Sequence, residues 1–289
     1  MARTFDRYVM VDWSAANTPK RGADSIWIAA ADRRGVDTPF NPPTRAEAME
    51  RIASLCADAL AKGERTMIGF DFPFGYPEGA AKRLAGASGW RALWAFFARE
   101  IEDDARNRSN RYALADRLNR DIFMEPLYWG RPHQQPYAHL PAKCAPSPLR
   151  DSMKLRRAEA AHPPAKSVWQ LAYIGAVGSQ AMLGIARLER MRRAFDGKIA
   201  IWPFETAFAA RLDAPIILAE IYPSLLAVEP RPGEPKDCAQ VRALARSFRD
   251  LDAKRRLVDR LAAPRALDEQ GRLAAETEEG WIINPCEAS

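Results

Sequence analysis

The apolar positions along the chain form two kinds of pattern, short unbroken runs and longer runs with helical spacing. Short apolar runs bounded by turn-forming residues predict buried strands. Helical spacing predicts a helix over residues 44–63, where Thr44 is a good N-cap and Gly63 ends the pattern. The runs that predict strands cover residues 7–16, 24–35, 65–75, 198–206, 215–227 and 278–285.

The order of these elements predicts the fold class. The runs at 7–16 and 24–35 are separated by a turn near residues 17–22, which is typical of a β-hairpin, and a short third strand is expected near Val36. A long helical segment covers residues 236–262. Strands and helices in this order predict an α/β protein with a mixed sheet flanked by helices.

The middle of the chain has a different character. Between residues 76 and 193 the pattern is helical but interrupted, most heavily by a proline-rich stretch at 126–148. We therefore expect an α/β core built from residues 1–76 and 196–289, with residues 77–195 forming a large helical insertion or cap.

Composition places the chain among soluble globular proteins, since its 289 residues are 47% hydrophobic and 28% charged. No apolar stretch of signal-peptide length opens the sequence, which favours a cytoplasmic location. The four cysteines are scattered without a CxxC pair, so neither a disulfide framework nor a zinc site is expected. The one long uncharged run, residues 167–186, contains Ser and Gln side chains and predicts a buried central helix rather than a membrane span.

The net charge of +6 is unevenly distributed along the chain. Residues 131–199 contain 12 Lys or Arg and 4 Asp or Glu. Such local basicity suits a polyanionic or phosphorylated partner, and it is equally typical of a solvated helical face. If the excess faces a substrate crevice, Arg156 and Arg157 would contribute to binding.

Acidic residues follow three of the predicted strands at equivalent positions. Asp12 follows "YVMV", Asp71 follows "MIGF" and Glu220 follows "IILA". The carboxyl ends of strands in such sheets face the crevice where ligands bind. Three acids converging there would repel one another unless they were protonated or bridged by a cation. Mg²⁺ or Mn²⁺ suits these oxygen ligands, so the three acids are candidates for both metal binding and catalysis.

Two further acids are candidates for the same cluster. Asp237 lies at the start of the long helical segment and would be a fourth metal ligand, although an acid there also favours the first helical turn. Glu205 in "WPFET" lies at another strand end and would join or replace Glu220.

Three polar side chains are candidates for holding a cofactor or ligand. Ser14 lies in "DWSAANTPKRG", which would serve as a phosphate-binding hairpin. Arg131 lies in the aromatic stretch 128–137 with His133, a mixture that suits base stacking or a packed loop equally. Gln170 lies in the long uncharged run, where a buried amide needs a partner from the sheet or from a ligand.

Four short motifs carry a resemblance to a known family. "VDWSAA", "IGFDFPFG", "AEIYPSL" and "EEGWIINP" resemble a family of uncharacterised proteins described as predicted nucleases of the ribonuclease H-like fold, domain-of-unknown-function family 429. The resemblance covers residues 1–75 and 198–285 and leaves the middle of the chain unaccounted for. It implies a ribonuclease H-like core whose metal ligands are strand acids, which correspond to Asp12, Asp71, Glu220 and Asp237.

These observations predict a Mg²⁺- or Mn²⁺-dependent phosphoryl-transfer enzyme, with a nuclease as the leading form. One alternative is an ATP-dependent small-molecule kinase of the actin and sugar-kinase superfamily, although the chain is short for its two domains and has no GxxxxGK phosphate loop. Another is a non-catalytic binding or scaffold protein that retains the fold. Nucleic acid and a phosphorylated small molecule both remain open as partners.

Overall fold

A computed structural model describes residues 3–132 and 136–286, and its centre is a mixed β-sheet. The strands run in the order β2-β1-β3-β5-β4, and β6 pairs with β5 beyond the end of β4. β1 and β2 form an antiparallel hairpin, and the other pairs are parallel. The strands are β1 (Arg7–Asp12), β2 (Trp27–Ala31), β3 (Thr66–Phe70), β4 (Ile199–Ile201), β5 (Ile216–Ile221) and β6 (Ile282–Ile283). The prediction of an α/β fold with a mixed sheet is confirmed.

Helices cover both faces of this sheet. They are α1 (Arg45–Ala61), α2 (Ala80–Ala85), α3 (Trp90–Glu100), α4 (Arg111–Leu118), α5 (Pro148–Ser152), α6 (Arg157–Ala161), α7 (Gly178–Ala194), α8 (Lys236–Ala253), α9 (Leu257–Leu261) and α10 (Glu269–Ala274). Single π-helical turns follow α4 and α10, at Asn119–Phe123 and Ala275–Glu279. Within the described residues, no helix is long and apolar enough to cross a bilayer.

Strand alternation divides the core into two apolar clusters, one on each face of the sheet. On one face, α1, α3 and α7 pack against strand residues such as Val11, Phe70 and Leu218. On the other face, α8 and α9 pack against the intervening strand residues, such as Met10 and Ile217. Because α3 and α7 lie in residues 77–195, this segment shares a continuous apolar cluster with the sheet.

The predictions for the first helix agree with the structure. The Thr44 hydroxyl accepts a hydrogen bond from the Glu47 N–H at 3.2 Å, which is the expected N-cap. The helix ends at Ala61, and Gly63 adopts a left-handed conformation with φ of +65°. The third strand expected near Val36 is reduced to isolated bridges, Ala31 to Val36 and Ile28 to Phe40.

The helix predicted across residues 167–186 is wrong in its first half, because α7 begins only at Gly178. A Cβ at this glycine would lie 2.3 Å from the Val168 carbonyl oxygen and 2.7 Å from that of Gln170. The chain therefore folds back on itself here, and Gln170 pairs with Trp129 through a parallel bridge. Apolar composition alone did not distinguish this irregular segment, whose residues 173–175 are exposed, from a buried helix.

Other element bounds also differ from the predictions. The helix expected over 236–262 ends at Ala253, and Arg255 takes a left-handed conformation with φ of +60° before α9. The break lets α9 turn its two buried leucines, Leu257 and Leu261, onto the sheet-side cluster. The strands at 198–206 and 278–285 shrink to three and two residues. The first of them ends before Pro203, which has no N–H for a strand ladder.

Candidate functional site

The strand ends bring three of the predicted acids to one edge of the sheet. β1, β3 and β5 are parallel neighbours, so their carboxyl ends lie side by side. Asp12 is the last residue of β1, Asp71 directly follows β3, and Glu220 is the last residue but one of β5.

The strand register separates these acids into two groups. Val11 pairs with Phe70, and the Asp71 N–H donates a hydrogen bond to the Val11 carbonyl oxygen at 3.2 Å, so Asp12 and Asp71 lie next to each other. Phe70 in turn pairs with Glu220, which places Glu220 one position out of phase with Asp71. Because side chains alternate along a strand, Glu220 leaves the opposite face of the sheet.

Asp12 and Asp71 form a hydrogen-bonded carboxyl pair. The Trp13 backbone N–H donates to Asp71 Oδ1 at 2.6 Å and fixes the orientation of that carboxyl. Desolvation, together with the charge of Asp237, raises the pKa of Asp12 to about 8. Desolvation, together with the charge of Asp12, raises the pKa of Asp71 well above its usual range. Burial and the neighbouring negative charges thus both favour the protonated form in this pair.

Asp237 is the third acid of this group. It lies in the first turn of α8, and its Oδ2 accepts a hydrogen bond from the Asp24 N–H at 2.7 Å. This bond ties the start of α8 to the loop between β1 and β2. Asp237 lines the same cavity as Asp12 and Asp71, and its charge raises the pKa of both.

Glu220 has a different environment because a buried arginine holds it. Arg156 donates to Glu220 Oε1 at 2.6 Å and to Oε2 at 2.8 Å, and it also pairs with Glu159. Glu220 Oε2 accepts a further hydrogen bond from the Phe74 N–H at 3.0 Å. Arg156 is 0% exposed, so the pairs are closed to solvent. Both carboxylate oxygens of Glu220 are thus already hydrogen-bonded to the guanidinium of Arg156.

A cavity of about 670 Å³ lies over the acids. Asp12, Asp71 and Glu220 line it from the sheet, and Asp237 lines it from α8. The loop after β1 contributes Ser14, and the remaining wall comes from positions between 159 and 180 in the middle segment. The middle segment therefore forms one side of the site.

The other predicted side chains lie at different distances from this cavity. The Ser14 hydroxyl accepts a hydrogen bond from the Ala16 N–H at 3.2 Å at the rim. Arg131 and Gln170 do not line the cavity, and the Gln170 amide donates to the Ala172 carbonyl oxygen at 3.1 Å. His133 lies outside the described residues.

Glu205 lies away from the cavity. It pairs with Arg91 and accepts a hydrogen bond from the Ile201 N–H at 3.0 Å, so it does not take the place of Glu220.

Five of the twelve basic residues in the stretch 131–199 form ion pairs with acids among the described residues of the chain itself. The prediction that Arg156 contributes to polyanion binding required its charge to face the crevice, and the structure does not meet that condition. Arg156 is fully buried between two glutamates. Arg157 pairs with Glu78 and Glu279. The remaining pairs in this segment are Arg187 with Asp103, and Arg192 and Arg193 with Glu189.

Three lining residues were missed from the sequence. Gln240 lies three residues after Asp237 in α8, which is the spacing that places two side chains on one helix face. Lys166 and Tyr173 lie in the run that was expected to be helical, so no periodic signal pointed to them. The i, i+3 spacing would have identified Gln240.

The π-helical turn Ala275–Glu279 packs against the loop that follows Asp71. A Cβ at Gly75 would lie 2.0 Å from the Glu278 carbonyl oxygen, so only glycine allows the loop after β3 to pack here. Glu278 Oε1 accepts a hydrogen bond from the Ala81 N–H at 2.6 Å. The Glu279 carbonyl oxygen accepts one from Arg156 at 2.6 Å. The π-helical turn at 275–279 thus fastens the Asp71 loop to α6.

The donor set fits a hard divalent cation. Among the described residues, no three His, Cys, Asp or Glu side chains already stand together as a metal-holding group. Asp12 and Asp71 nevertheless lie side by side at the ends of adjacent strands, and Asp237 lines the same cavity. Oxygen-only donors of this kind suit Mg²⁺ or Mn²⁺, and a cation there would favour the deprotonated form of both carboxylates.

Comparisons of this chain with protein families, with curated proteins and with solved structures gave no significant match.

Proposed function

We propose that this protein is a Mg²⁺- or Mn²⁺-dependent enzyme that hydrolyses phosphoesters, the chemistry of a nuclease. The observation that carries the proposal is the Asp12–Asp71 pair, which lies at the ends of two adjacent parallel strands, lines a cavity and forms no ion pair with a Lys or Arg of the described residues. Titratable groups with pKa values raised by burial and by a like charge in a cleft are typical of functional sites.

The strand arrangement supports a ribonuclease H-like core. The hairpin β1–β2 precedes a helix, and β3 then returns parallel to β1 as its second neighbour. The bridges at Val36 and Phe40 extend the hairpin edge in the position of a third strand. This order matches the resemblance of the flanking sequence motifs, and residues 77–195 form the insertion in that reading.

Each acid takes a distinct role in this proposal. Asp12 and Asp71 would hold the metal, and the Trp13 N–H keeps Asp71 directed toward Asp12. Asp237 would complete the ligand set from α8. When bound there, Mg²⁺ or Mn²⁺ supplies a Lewis acid for a phosphoryl oxygen and lowers the pKa of a coordinated water.

Glu220 has a positioning role in this scheme. Its carboxylate is shared between Arg156 and the Phe74 N–H, so it holds the loop that carries Asp71. We therefore assign ligand roles to the three aspartates and leave Glu220 outside the ligand set.

The proposal is tested by metal binding and by hydrolysis of bis(p-nitrophenyl) phosphate. We expect Mn²⁺ to raise the melting temperature of the wild type, because a ligand that binds the native state stabilises it. Asp12→Asn should abolish both this rise and any hydrolysis. Asp58→Asn, on the exposed face of α1, is the matched control and should behave like the wild type. A wild type whose melting temperature and calorimetric titration both ignore millimolar Mn²⁺ would contradict the proposal.

A further inference from the structure

Charge around the cavity limits what it can bind. Six acids line it, whereas Lys166 is the one Lys or Arg among the described residues that do so. Proteins that hold a long nucleic acid neutralise many phosphates with Lys and Arg. Several arginines of the middle segment are engaged with glutamates and aspartates of the chain itself, as for Arg156 and Arg187. The charge of the lining residues therefore favours a ligand with one or a few phosphates over a long nucleic acid.

Two side-chain amides face the cavity without a partner. Gln240 is 6% exposed, lines the cavity, and makes no side-chain hydrogen bond within the described parts of the chain. Gln180, in the first turn of α7, lines the opposite wall and has no such bond to any described residue either. Both amides are reached by solvent in the cavity, so a ligand with donors and acceptors can pair with them.

An exposed apolar lip borders the same cavity. Ile174 is 97% exposed and Tyr173 is 47% exposed, and both line the opening. The Lys166 side chain lies against the neighbouring Gly175, since a Cβ there would lie 3.3 Å from Lys166 Cγ. Lys166 is therefore close to the segment that carries Tyr173 and Ile174 at the mouth of the cavity.

We propose that the substrate is a single nucleotide-sized phosphate ester, whose phosphate lies between the aspartates and Lys166 and whose base contacts Gln180, Gln240 and the Tyr173 lip. The volume of about 670 Å³ lies within the usual range of small-molecule sites. Amides recognise base edges, and an aromatic ring stacks on a base face. The placement of the phosphate rests on the proposed function, whereas the base contacts do not.

The first experiment measures binding by calorimetry, with Mn²⁺ alone and then with nucleoside monophosphates in the presence of Mn²⁺. We expect a nucleoside monophosphate to bind more tightly than ribose 5-phosphate, since only the former has a base. A duplex of about 20 base pairs should bind no more tightly than the monophosphate, and its salt dependence should reflect one or two phosphates. Tight duplex binding with a steep salt dependence, or equal binding of nucleotide and sugar phosphate, would overturn the inference.

Two variants with matched controls test the contacts. Gln240→Leu should weaken nucleotide binding about tenfold or more, and it should leave Mn²⁺ binding unchanged. The control Gln270→Leu, on exposed α10, should change neither. Lys166→Met should weaken nucleotide and ribose 5-phosphate alike, unlike the exposed control Lys62→Met.

The results separate this inference from the proposed function. Mn²⁺ binding without nucleotide binding would overturn the inference and leave the metal site standing. Nucleotide binding that depends on Gln240 but occurs without any metal binding would support the inference and contradict the metal-dependent chemistry. A Gln240→Leu protein that binds nucleotide as the wild type does would remove the base contact from the proposal.

Discussion

Two pairs of acids border the same cavity and differ in what neutralises them. Glu159 and Glu220 share the guanidinium of Arg156, which is fully buried between them. Asp12 and Asp71 form no ion pair with a Lys or Arg of the described residues, and burial raises the pKa of both carboxyl groups. The first pair is neutralised by the protein itself, whereas the second is, in our proposal, neutralised by a metal. A buried acid therefore indicates function only after its partner is known.

The largest expected effect comes from removing the cation of the first pair. Arg156→Met should destabilise the protein by about 3–5 kcal/mol, because it leaves two buried carboxylates unpaired. Urea unfolding measures this free energy. Arg117→Met, which removes an exposed partner of Glu100, is the control and should cost less than about 1 kcal/mol. If the two variants lost the same free energy of unfolding, the buried ion pairs of Arg156 would contribute no more to stability than an exposed one.

The second prediction concerns the pH dependence of the Asp12–Asp71 pair. Because the folded-state pKa of Asp12 is raised to about 8 from 3.8, the stability that it contributes is full below about pH 4 and is lost as pH rises toward 8. The free energy of unfolding of the wild type should therefore fall relative to Asp12→Asn by about 2–3 kcal/mol between pH 5 and pH 7. Urea unfolding at several pH values gives both curves. Parallel curves would contradict the raised pKa.

A smaller effect is expected when the carboxyl group of Asp71 is replaced by an amide. In Asp71→Asn the side-chain oxygen can still accept from the Trp13 N–H, and the new N–H group can donate to Asp12. Apo stability should be unchanged or higher by about 0.5–2 kcal/mol, as is usual when a strained functional acid is replaced. Mn²⁺ should no longer raise the melting temperature. A destabilised variant beside a wild type indifferent to Mn²⁺ would instead make Asp71 a structural acid.

The smallest expected effect is that of replacing Asp237, the acid in the first turn of α8. Asp237→Asn keeps an oxygen that can accept from the Asp24 N–H, so stability without metal should change by less than about 0.5 kcal/mol. Removing a negative charge that lines the same cavity should weaken Mn²⁺ binding about 2–10-fold. Calorimetry of the two proteins measures the ratio. Unchanged Mn²⁺ affinity would remove Asp237 from the ligand set.

The strands and the edge that carries the acids could be predicted from the sequence, because apolar runs and turn residues are local signals. The grouping of the acids could not. Asp71 and Glu220 each follow four apolar residues, yet the register of β3 against β5 sets their side chains one position apart. Register depends on pairing between distant segments, and no local pattern records it.

Contacts between residues distant in sequence could not be predicted from the sequence either. Arg156 lies 64 residues before Glu220, in a segment read as a solvated or ligand-facing basic region. The unbroken apolar run at 167–186 likewise gave no sign of the fold-back at Gly178, which only the close approach of the Gln170 carbonyl reveals. Tertiary contacts decided both cases.

The π-helical turn at 275–279 has a consequence for how the protein is made. Gly75 packs directly on the Glu278 carbonyl oxygen, and Arg156 donates to the Glu279 carbonyl oxygen. During synthesis these two glutamates leave the ribosome about 200 residues after the loop they hold. The loop after Asp71 can therefore gain this support only after residues 275–279 have been synthesised, so the site cannot form co-translationally from the strands alone.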